Sequence, residues 1–387
     1  MLEIKEVHSG ILEKKWLGFG KEIYSDHKTF VPYLKQDIAK VFDPKKNRAF
    51  RNGSAKRWLL EEDGKIRGRI AGFVEKKYSK GMEQPTGGIG FFESVEDKSV
   101  AFKLLDTAID WLKSEGMEAA DGIINFGEKN MFWGVLIENY EDKNTYGMNH
   151  HPEYYKEYLE EYGFQVYYNQ HVYYRDLHVP LQEVFLRKVS LLEQEDGYRV
   201  ANCSGRTLEQ IGDDFLTVYN NAWGGHHGFA PMKRSQAQRT MKALKPIMDR
   251  DILIFAYHFD KPVGFYINIP ELNDIFKYVN GNLNWLGKLK FLYHKWRKTS
   301  NTMVGIVFGV DREYHGTGVE AALCKYCEDH VVSAGVYDHT VMTWIGDFNP
   351  KMIKVCENLG SDVYRKLATY RYLFDRNKEF KRMPKAK

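Results

Sequence analysis

The chain of 387 residues carries one sequence pattern twice. Residues 57–73 read as two strands joined by an Asp-Gly turn, and residues 251–265 repeat that hairpin. Each copy closes with a short helical segment that stops at a glycine and is followed by a strand. These glycines, Gly163 and Gly360, lie 197 positions apart. A repeat of this length exceeds a solenoid unit and indicates a duplicated domain.

Only the second copy contains a glycine-rich loop. The segment Gly316-Thr317-Gly318-Val319 follows a strand pattern that ends at Val310 and precedes an apolar helix pattern. A glycine-rich turn at a helix N-terminus directs several N–H groups and the positive helix end toward one point, which suits a pyrophosphate. A plain turn remains the alternative, because Gly-x-Gly is a short motif that also occurs without a ligand.

The matching turn of the first copy is acidic. It carries Glu93, Glu96 and Asp97 without a glycine, and a helix is predicted over 100–116 with Ser99 as its N-cap. Carboxylates at a helix start suit the helix dipole but repel a pyrophosphate. The first copy is therefore predicted to lack a phosphate-binding loop.

The second copy continues with a further strand, Asn349-Pro350 and a helix that ends at Gly360. This order of elements resembles the GNAT acyltransferase superfamily, whose glycine-rich loop binds the pyrophosphate of acyl-coenzyme A. The resemblance implies that the coenzyme is bound by Phe308, Val310, His315, Gly316, Thr317, Gly318, Val319 and Asn349.

Three positions depart from the superfamily pattern. His315 stands where the motif has Arg or Gln, and Glu320 stands where it has Gly or Ala. A tyrosine often acts as general acid seven residues after the asparagine, and here that position is Cys356. Phosphate binding is therefore expected to rest on the loop backbone, and the acid mechanism of the superfamily does not transfer directly.

Motifs spread over nearly the whole chain resemble a bacterial family of tandem GNAT proteins, some of whose members resemble bacterial ceramide synthases. They lie at 24–32, 43–47, 90–94, 133–139, 219–223, 228–231 and 268–273. The resemblance implies an α/β (α+β) fold of two tandem GNAT-like domains, each a mixed, mainly antiparallel twisted sheet flanked by helices.

The domain boundaries follow from the repeat. Residues 1–180 are predicted to form an N-terminal GNAT-like domain without a coenzyme loop, and 181–197 a packed connector helix. Residues 198–378 are predicted to form the acyl-coenzyme A binding domain, and 379–387 a basic tail.

Composition narrows the classes of partner. The chain has 56 basic and 52 acidic residues, a balance that argues against nucleic acid. Its four cysteines are few for its length and no N-terminal signal pattern is evident, which favours a cytoplasmic protein. No apolar run is long enough to span a bilayer. Cys324, Cys327 and His330 resemble half of a zinc or redox site, but without a second pair no metal is expected.

Two segments contain residues that are predicted to act on the attacking amine. His226 and His227 lie in a glycine-containing segment after Trp223, and histidine titrates near neutrality, as a base for an attacking amine must. Glu271 and Asn273 follow a strand and are candidates for orienting the amine. Flexible-turn and ordinary polar-turn interpretations stay open for both segments. Cys356 is a candidate acid or nucleophile, or a small buried hydrophobe.

Segment 285–298 mixes five basic residues with large apolar ones and reads as a helix. Such a helix suits a peripheral membrane contact, at the inner membrane surface of a bacterium, or a cover over an acyl chain. A helix packed on the domain with a solvated basic face is the alternative.

These features together predict an N-acyltransferase that moves an acetyl or longer acyl group from acyl-coenzyme A or acetyl-coenzyme A to an amine. The acceptor is expected to be a small molecule or a lipid amine such as a sphingoid-like base. Two alternatives stay open. One is a GNAT-fold binding or regulatory protein that has lost its chemistry, and the other is an aminoacyl-tRNA-dependent transferase, which the balanced charge disfavours.

Overall fold

The computed structural model describes residues 1–224 and 231–385. Within these residues, thirteen strands form one continuous sheet shared by both copies of the repeat. The strands of the first copy are β1 (Leu2–Glu6), β2 (Gly53–Glu62), β3 (Lys65–Glu75), β4 (Thr86–Ser94), β5 (Ala119–Gly122), β6 (Val135–Glu138) and β7 (Gln165–Asp176). Those of the second copy are β8 (Tyr198–Asn202), β9 (Leu253–His258), β10 (Lys261–Pro270), β11 (Thr302–Val310), β12 (His339–Gly346) and β13 (Asp362–Leu373).

Helices cover both faces of this sheet. The first copy contributes α1 (Ile11–Ile23), α2 (Lys35–Val41), α3 (Lys76–Lys80), α4 (Lys98–Ser114) and α5 (Tyr154–Tyr162). The connector is α6 (Glu183–Leu192). The second copy contributes α7 (Leu208–Trp223), α8 (Arg234–Leu244), α9 (Asn273–Phe276), α10 (Trp285–Trp296), α11 (Val319–Tyr326) and α12 (Pro350–Asn358).

The closing strands of the two copies are exchanged. The strand order is β1-β2-β3-β4-β5-β13-β7-β12-β11-β10-β9-β8, and β6 also pairs with β13. Thus β13 of the second copy lies beside β5 of the first, and β7 of the first copy lies beside β12 of the second. The two exchanged strands pair with each other antiparallel. The sheet is therefore continuous across the predicted boundary at 180–198. That boundary separates the two copies along the chain but not within the sheet.

Local sequence signals set the turns and helix ends. Asp63 and Gly64 have φ of 48° and 79°, the left-handed geometry of the two-residue turn that joins β2 to β3. Gly163 and Gly360 also have positive φ and follow α5 and α12. The predicted repeat of hairpin, glycine-terminated helix and strand is thus present in both copies.

Helix α4 buries the apolar stripe that its sequence predicted, but its cap differs. The predicted N-cap, Ser99, is wrong, because the Asp97 side chain accepts hydrogen bonds from the N–H groups of Ser99 and Val100 at 2.9 and 3.4 Å. The helix accordingly begins at Lys98. Asp97 is also the acidic residue that occupies the position of a phosphate-binding turn, so its carboxylate already uses the helix N-terminus.

The first copy fills the turn after β4 with its own side chains. The Tyr155 hydroxyl accepts a hydrogen bond from the Ser94 N–H at 2.7 Å, and the Tyr154 hydroxyl donates one to the Ser94 carbonyl at 2.8 Å. Glu93 is buried and forms an ion pair with Arg69 at 2.7 Å. The turn after β4 is thus occupied by contacts within the first copy.

The length and apolar character of the helices show whether any of them could cross a membrane. Among the helices of residues 1–224 and 231–385, none combines the length and apolar character needed to cross a membrane. The buried clusters instead pack each helix layer against the sheet, and this packing positions the loops described next.

Candidate functional site

The glycine-rich loop lies where the sequence predicted it, between β11 and α11. A short 3-10 turn, Arg312–Tyr314, leads into Gly316 and Gly318, whose φ angles are 81° and 104°. Gly318 is the N-cap of α11. Both glycines therefore adopt left-handed geometry that other residues rarely take.

Side chains of the loop are bonded within the loop. Nε2 of His315 donates a hydrogen bond to the Val310 carbonyl at 3.1 Å, and the Thr317 hydroxyl donates one to the Tyr314 carbonyl at 2.8 Å. This hydrogen bond of His315 ties the loop to the end of β11. Any phosphate contact falls to the backbone.

Connector helix α6 lies against this loop. The Lys188 carbonyl oxygen is 2.6 Å from the position that a Cβ on Gly318 would take, so only glycine fits there. The Lys188 ammonium also lies 3.6 Å from the Glu320 carboxylate. The inner part of the loop, at Gly318, therefore faces protein, whereas a Cβ placed on Gly316 would have no described atom within 4 Å apart from its chain neighbours.

Strands β11 and β12 separate beside the loop. These parallel strands pair only from Thr302 and His339 to Gly305 and Met342, although both continue further. Beyond that point Phe308 and Ile345 are half-buried, and they pack against the cluster that contains Phe185 and Val189 of α6. This buried cluster also contains Cys324 of α11 and Cys356 of α12.

Cys356 lies inside the same cluster. Its side chain is fully buried, its Sγ is 3.6 Å from Sδ of Met342, and burial raises the pKa of its thiol to about 12. A thiol in this setting stays protonated at neutral pH and packs as a small hydrophobe. The geometry therefore favours the packing interpretation of Cys356.

Asn349 has a structural task that its position explains. It is the N-cap of α12, and its side-chain oxygen accepts a hydrogen bond from the Met352 N–H at 3.2 Å. The Pro350 that follows occupies the first turn, where its missing N–H costs no hydrogen bond. The Asn-Pro signature thus sets the start of α12.

Trp223 ends α7 beside the loop-bearing strand. Its ring stacks on Tyr219 and Phe265, and a Cβ on Gly309 of β11 would lie 2.8 Å from it. His226 and His227 lie outside the described residues. The Asn220 side chain accepts a hydrogen bond from the Met232 N–H at 2.8 Å and donates one to the Met232 carbonyl at 3.1 Å.

Glu271 and Asn273 join the two copies. Oε1 of Glu271 accepts hydrogen bonds from the N–H groups of Tyr146 and Asn273 at 3.0 and 2.8 Å. The Asn273 side chain donates to the Asn144 carbonyl at 2.7 Å. Oε2 of Glu271 is buried without a partner among the residues described, and burial raises the pKa of this carboxyl to about 7. A carboxyl poised near neutrality is suited to proton transfer.

A cavity of about 770 Å³ opens between the two copies, next to these residues. Tyr146 lines it, and the Tyr146 hydroxyl donates a hydrogen bond to Asp37 at 2.8 Å. Glu271 thus lies directly behind one wall. Met232 of the second copy lines the same cavity.

The charged residues that line this cavity are mainly cationic. Six basic side chains line it, Lys40, Lys46, Arg48, Arg51, Lys77 and Arg239, against the acidic Asp37, Glu75 and Glu128. Within the described ranges, only Lys46 of the six forms an ion pair, with Asp43 at 3.2 Å. Unpaired cations around a concave site favour an anionic ligand.

Sequence reasoning missed this cavity. The segment 43–56 is visibly basic, but its cations share a cavity with Arg239 of α8 only because the two copies share one sheet. Asn47 fixes this segment by donating hydrogen bonds to the carbonyls of Val41 and Phe126 at 2.7 and 2.9 Å. The motif at 43–47 therefore shapes the rim of the cavity.

No group of three or more His, Cys, Asp or Glu side chains among residues 1–224 and 231–385 is arranged to hold an ion. Cys324 and Cys327 are buried on α11 and the turn after it, and burial raises the pKa values of their thiols.

Comparison with known proteins identifies the fold. No protein-family model matches the chain. The chain is 22% identical to a bacterial ceramide synthase of Caulobacter vibrioides over 366 residues, covering 92% of this chain and 94% of that protein. It is 23% identical to the protein YghO of Escherichia coli over 367 residues, covering 92% of each.

Solved structures agree at the level of fold. A tandem GNAT protein from the clavulanic acid biosynthesis pathway matches 97% of this chain and 99% of its own, with a TM-score of 0.52 and 10% identity. The glucosamine N-acetyltransferase region of a fungal multi-domain enzyme matches 96% of this chain with a TM-score of 0.55 and 11% identity. The chain spans 38% of that enzyme's length. The predicted tandem GNAT fold is thereby confirmed, as is the resemblance to bacterial ceramide synthases.

Proposed function

We propose that the chain is a GNAT-type N-acyltransferase that moves an acyl group from acyl-coenzyme A to an amine. The separation of β11 and β12 beyond Gly305 and Met342, beside the glycine-rich loop, carries this proposal. A thioester held between the separated strands would have its carbonyl carbon open to an amine. The amine forms the new C–N bond, the C–S bond breaks, the amine loses one proton to a base, and the thiolate leaves and is protonated.

The coenzyme pyrophosphate is assigned to the outer part of the loop. A Cβ on Gly316 would meet no atom of the described residues within 4 Å apart from its chain neighbours, while Gly318 faces the Lys188 carbonyl. A carbonyl oxygen next to Gly318 disfavours a phosphate there, because both carry negative charge. The N–H groups near Gly316 and the N-terminus of α11 remain the part of the loop that suits an anion.

The proton acceptor is assigned to His226 or His227. Trp223, which precedes these histidines in the sequence, packs beside Gly309 of β11. Met232, which follows them in the sequence, lines the cavity. These two described residues flank the histidines in the sequence. Glu271, with a pKa near 7, is assigned to positioning because its Oε1 holds the N–H of Tyr146 in the cavity wall.

A long-chain lipid amine is the proposed acceptor, and a long acyl group the proposed donor chain. The name of the Caulobacter relative supports this choice, and the chain matches that protein over nearly its full length. A cavity of about 770 Å³ is within the size range of small-molecule sites. A protein acting on lipid amines would work at the cytoplasmic membrane surface.

A second candidate is a GNAT-fold binding protein without chemistry. The contact of α6 with Gly318 and the structural tasks of His315 and Cys356 favour it. It predicts ligand binding without any turnover, so product analysis separates it from an acyltransferase.

Titration of coenzyme A by calorimetry tests the assigned loop. Gly316→Asp places a negative charge on the loop, and Gly316→Asn is its matched control, since both residues tolerate left-handed φ. We expect one site per chain, affinity at least tenfold weaker in Gly316→Asp, and near wild-type affinity in Gly316→Asn.

Two arms of the titration separate the loop from the cavity. Arg239→Gln removes a cation of the cavity lining without touching the loop. If Arg239→Gln abolishes binding while Gly316→Asp leaves it intact, the phosphates bind in the cavity and the loop assignment is wrong. Absence of any binding to the wild-type chain contradicts the coenzyme donor altogether.

A further inference from the structure

Helix α10 presents an apolar stripe to solvent. Along its 12 residues, six large apolar side chains are between 51% and 80% exposed. They are Trp285, Leu286, Leu289, Leu292, Tyr293 and Trp296. At 3.6 residues per turn they fall within an arc of about 120°, the width of a face that is normally buried.

The opposite face of α10 anchors the helix to the protein. Phe291 is buried and stacks on Phe276 with ring centroids 5.6 Å apart, and a Cβ on Gly287 would lie 2.3 Å from the Asn282 carbonyl. His294 stacks on Tyr278 at 3.9 Å. Because these contacts fix the rotation of the helix, the exposed stripe is a built surface and not a misaligned core face.

Basic residues border the stripe. Lys288 and Lys290 lie on either side of it by helical geometry, and Lys295, Arg297 and Lys298 follow at its C-terminal end. Segment 285–298 contains no acidic residue. The Lys290 ammonium donates to the Tyr278 carbonyl at 3.3 Å, and that of Lys295 donates to the Pro246 carbonyl at 2.6 Å, so both keep their charge outside any carboxylate pair.

We propose that α10 binds the surface of an anionic lipid bilayer, with its axis parallel to the membrane plane. Trp285 and Trp296 mark the two ends of the helix, and tryptophan favours the boundary between headgroups and acyl chains. The leucines and Tyr293 between them supply the apolar face, and the bordering lysines meet anionic headgroups. The helix lies on the bilayer and does not cross it.

Charge decides between a membrane and a second copy of the chain. Two copies joined through this face by a twofold axis would bring Lys288 and Lys290 of one protomer against the same residues of its partner. Such like-charge contacts disfavour association. Lys298 already pairs with Asp251 at 4.0 Å, and anionic headgroups complement the other charges of the segment.

Membrane binding by α10 can be tested separately from the acyl transfer proposed above, because vesicle binding is measured without an acyl donor or an amine. Full-length protein is sedimented with vesicles of phosphatidylcholine alone or with about one-third phosphatidylglycerol. We expect binding only to the anionic vesicles, a strong decrease between 50 mM and 500 mM salt, and a blue shift of tryptophan emission.

Variants identify the surface. Trp285→Ser with Trp296→Ser is expected to lower vesicle binding by on the order of tenfold or more, and Lys288→Gln with Lys290→Gln by about tenfold. Ile11→Ser and Lys14→Gln remove an exposed apolar residue and a charge elsewhere, and should leave binding unchanged.

Three outcomes overturn the proposal. One is the absence of binding to anionic vesicles at low salt, and another is equal loss of binding in the control variants. The third is concentration-dependent dimerisation of the wild type, measured by light scattering, that the tryptophan variant abolishes, since the face would then join two copies. Acyl transfer with soluble amines stays unaffected by all of these variants if the two properties are separate.

Discussion

Oε1 of Glu271 accepts a 3.0 Å hydrogen bond from the N–H of Tyr146, so a carboxyl group of the second copy holds a residue of the first. Tyr146 in turn lines the cavity between the copies. Oε2 of the same carboxyl is buried without a partner among the described residues. The Glu271 carboxyl thus contacts the cavity wall through Oε1 and is buried at Oε2.

Replacing Glu271 by Gln should change how stability depends on pH. Burial raises the pKa of this carboxyl in the folded protein from 4.5 to about 7, so the folded state binds the proton more tightly than the unfolded state. Its contribution is fully present below pH 4.5 and is lost as pH rises through 7, an effect of about 3 kcal/mol. Gln keeps the acceptor oxygen and carries no charge.

Urea unfolding at pH 5 and pH 8 measures this effect. Wild-type protein and the exposed control Glu115→Gln should lose more stability between the two pH values than Glu271→Gln does. If the free energy of unfolding changes equally with pH in all three proteins, ionising Glu271 costs the folded state little and the prediction is wrong.

Replacing Gly318 by Ala should destabilise the contact between α6 and the loop. Gly318 has a φ of 104°, and the added Cβ would meet the Lys188 carbonyl at 2.6 Å. We expect a loss of about 2–3 kcal/mol. Gly316 has a φ of 81°, and a Cβ there would meet no described atom within 4 Å apart from its chain neighbours. Gly316→Ala should therefore lower the free energy of unfolding by only about 1 kcal/mol. Equal losses in chemical denaturation would remove the steric role of α6.

Replacing Cys356 by Ala should lower stability and leave turnover intact. The thiol is fully buried against Met342, and its pKa is raised to about 12. Its loss leaves a small void that costs about 1 kcal/mol. A tenfold or greater fall in kcat at unchanged KM would instead assign chemistry to the thiol.

Replacing the active histidine of the pair His226 and His227 by Gln should lower turnover by roughly 10²-fold, because the amine must lose a proton during attack. Coenzyme affinity, measured in the same preparations, should not change. Wild-type rates in both single variants and in the double variant would exclude this pair as the base.

Local signals in the sequence predicted most of the individual elements. The Asp63-Gly64 turn, the glycines that end α5 and α12, and the apolar stripe of α4 each depend on residues close together in the chain. The exchange of β7 and β13 depends instead on pairing between residues about 200 positions apart. Both segments have strand composition, but neither encodes its partner.

The candidate site was predictable in part for the same reason. The loop at Gly316–Val319 follows from local spacing, whereas the contact of Lys188 with Gly318 depends on where α6 packs. The cationic cavity joins α8 to the segment 43–52 across the two copies. Composition showed balanced charge overall, and only the fold gathers six cations around one cavity.

The most direct test of the account is product analysis by mass spectrometry. Purified protein is incubated with a long-chain acyl-coenzyme A and a sphingoid-type amine, and the amide and free coenzyme A thiol are quantified. The account predicts the two products in equal amounts, with at least tenfold less of both in Gly316→Asp than in Gly316→Asn. Free thiol without amide, or no product from any acyl donor and amine, would contradict an N-acyltransferase.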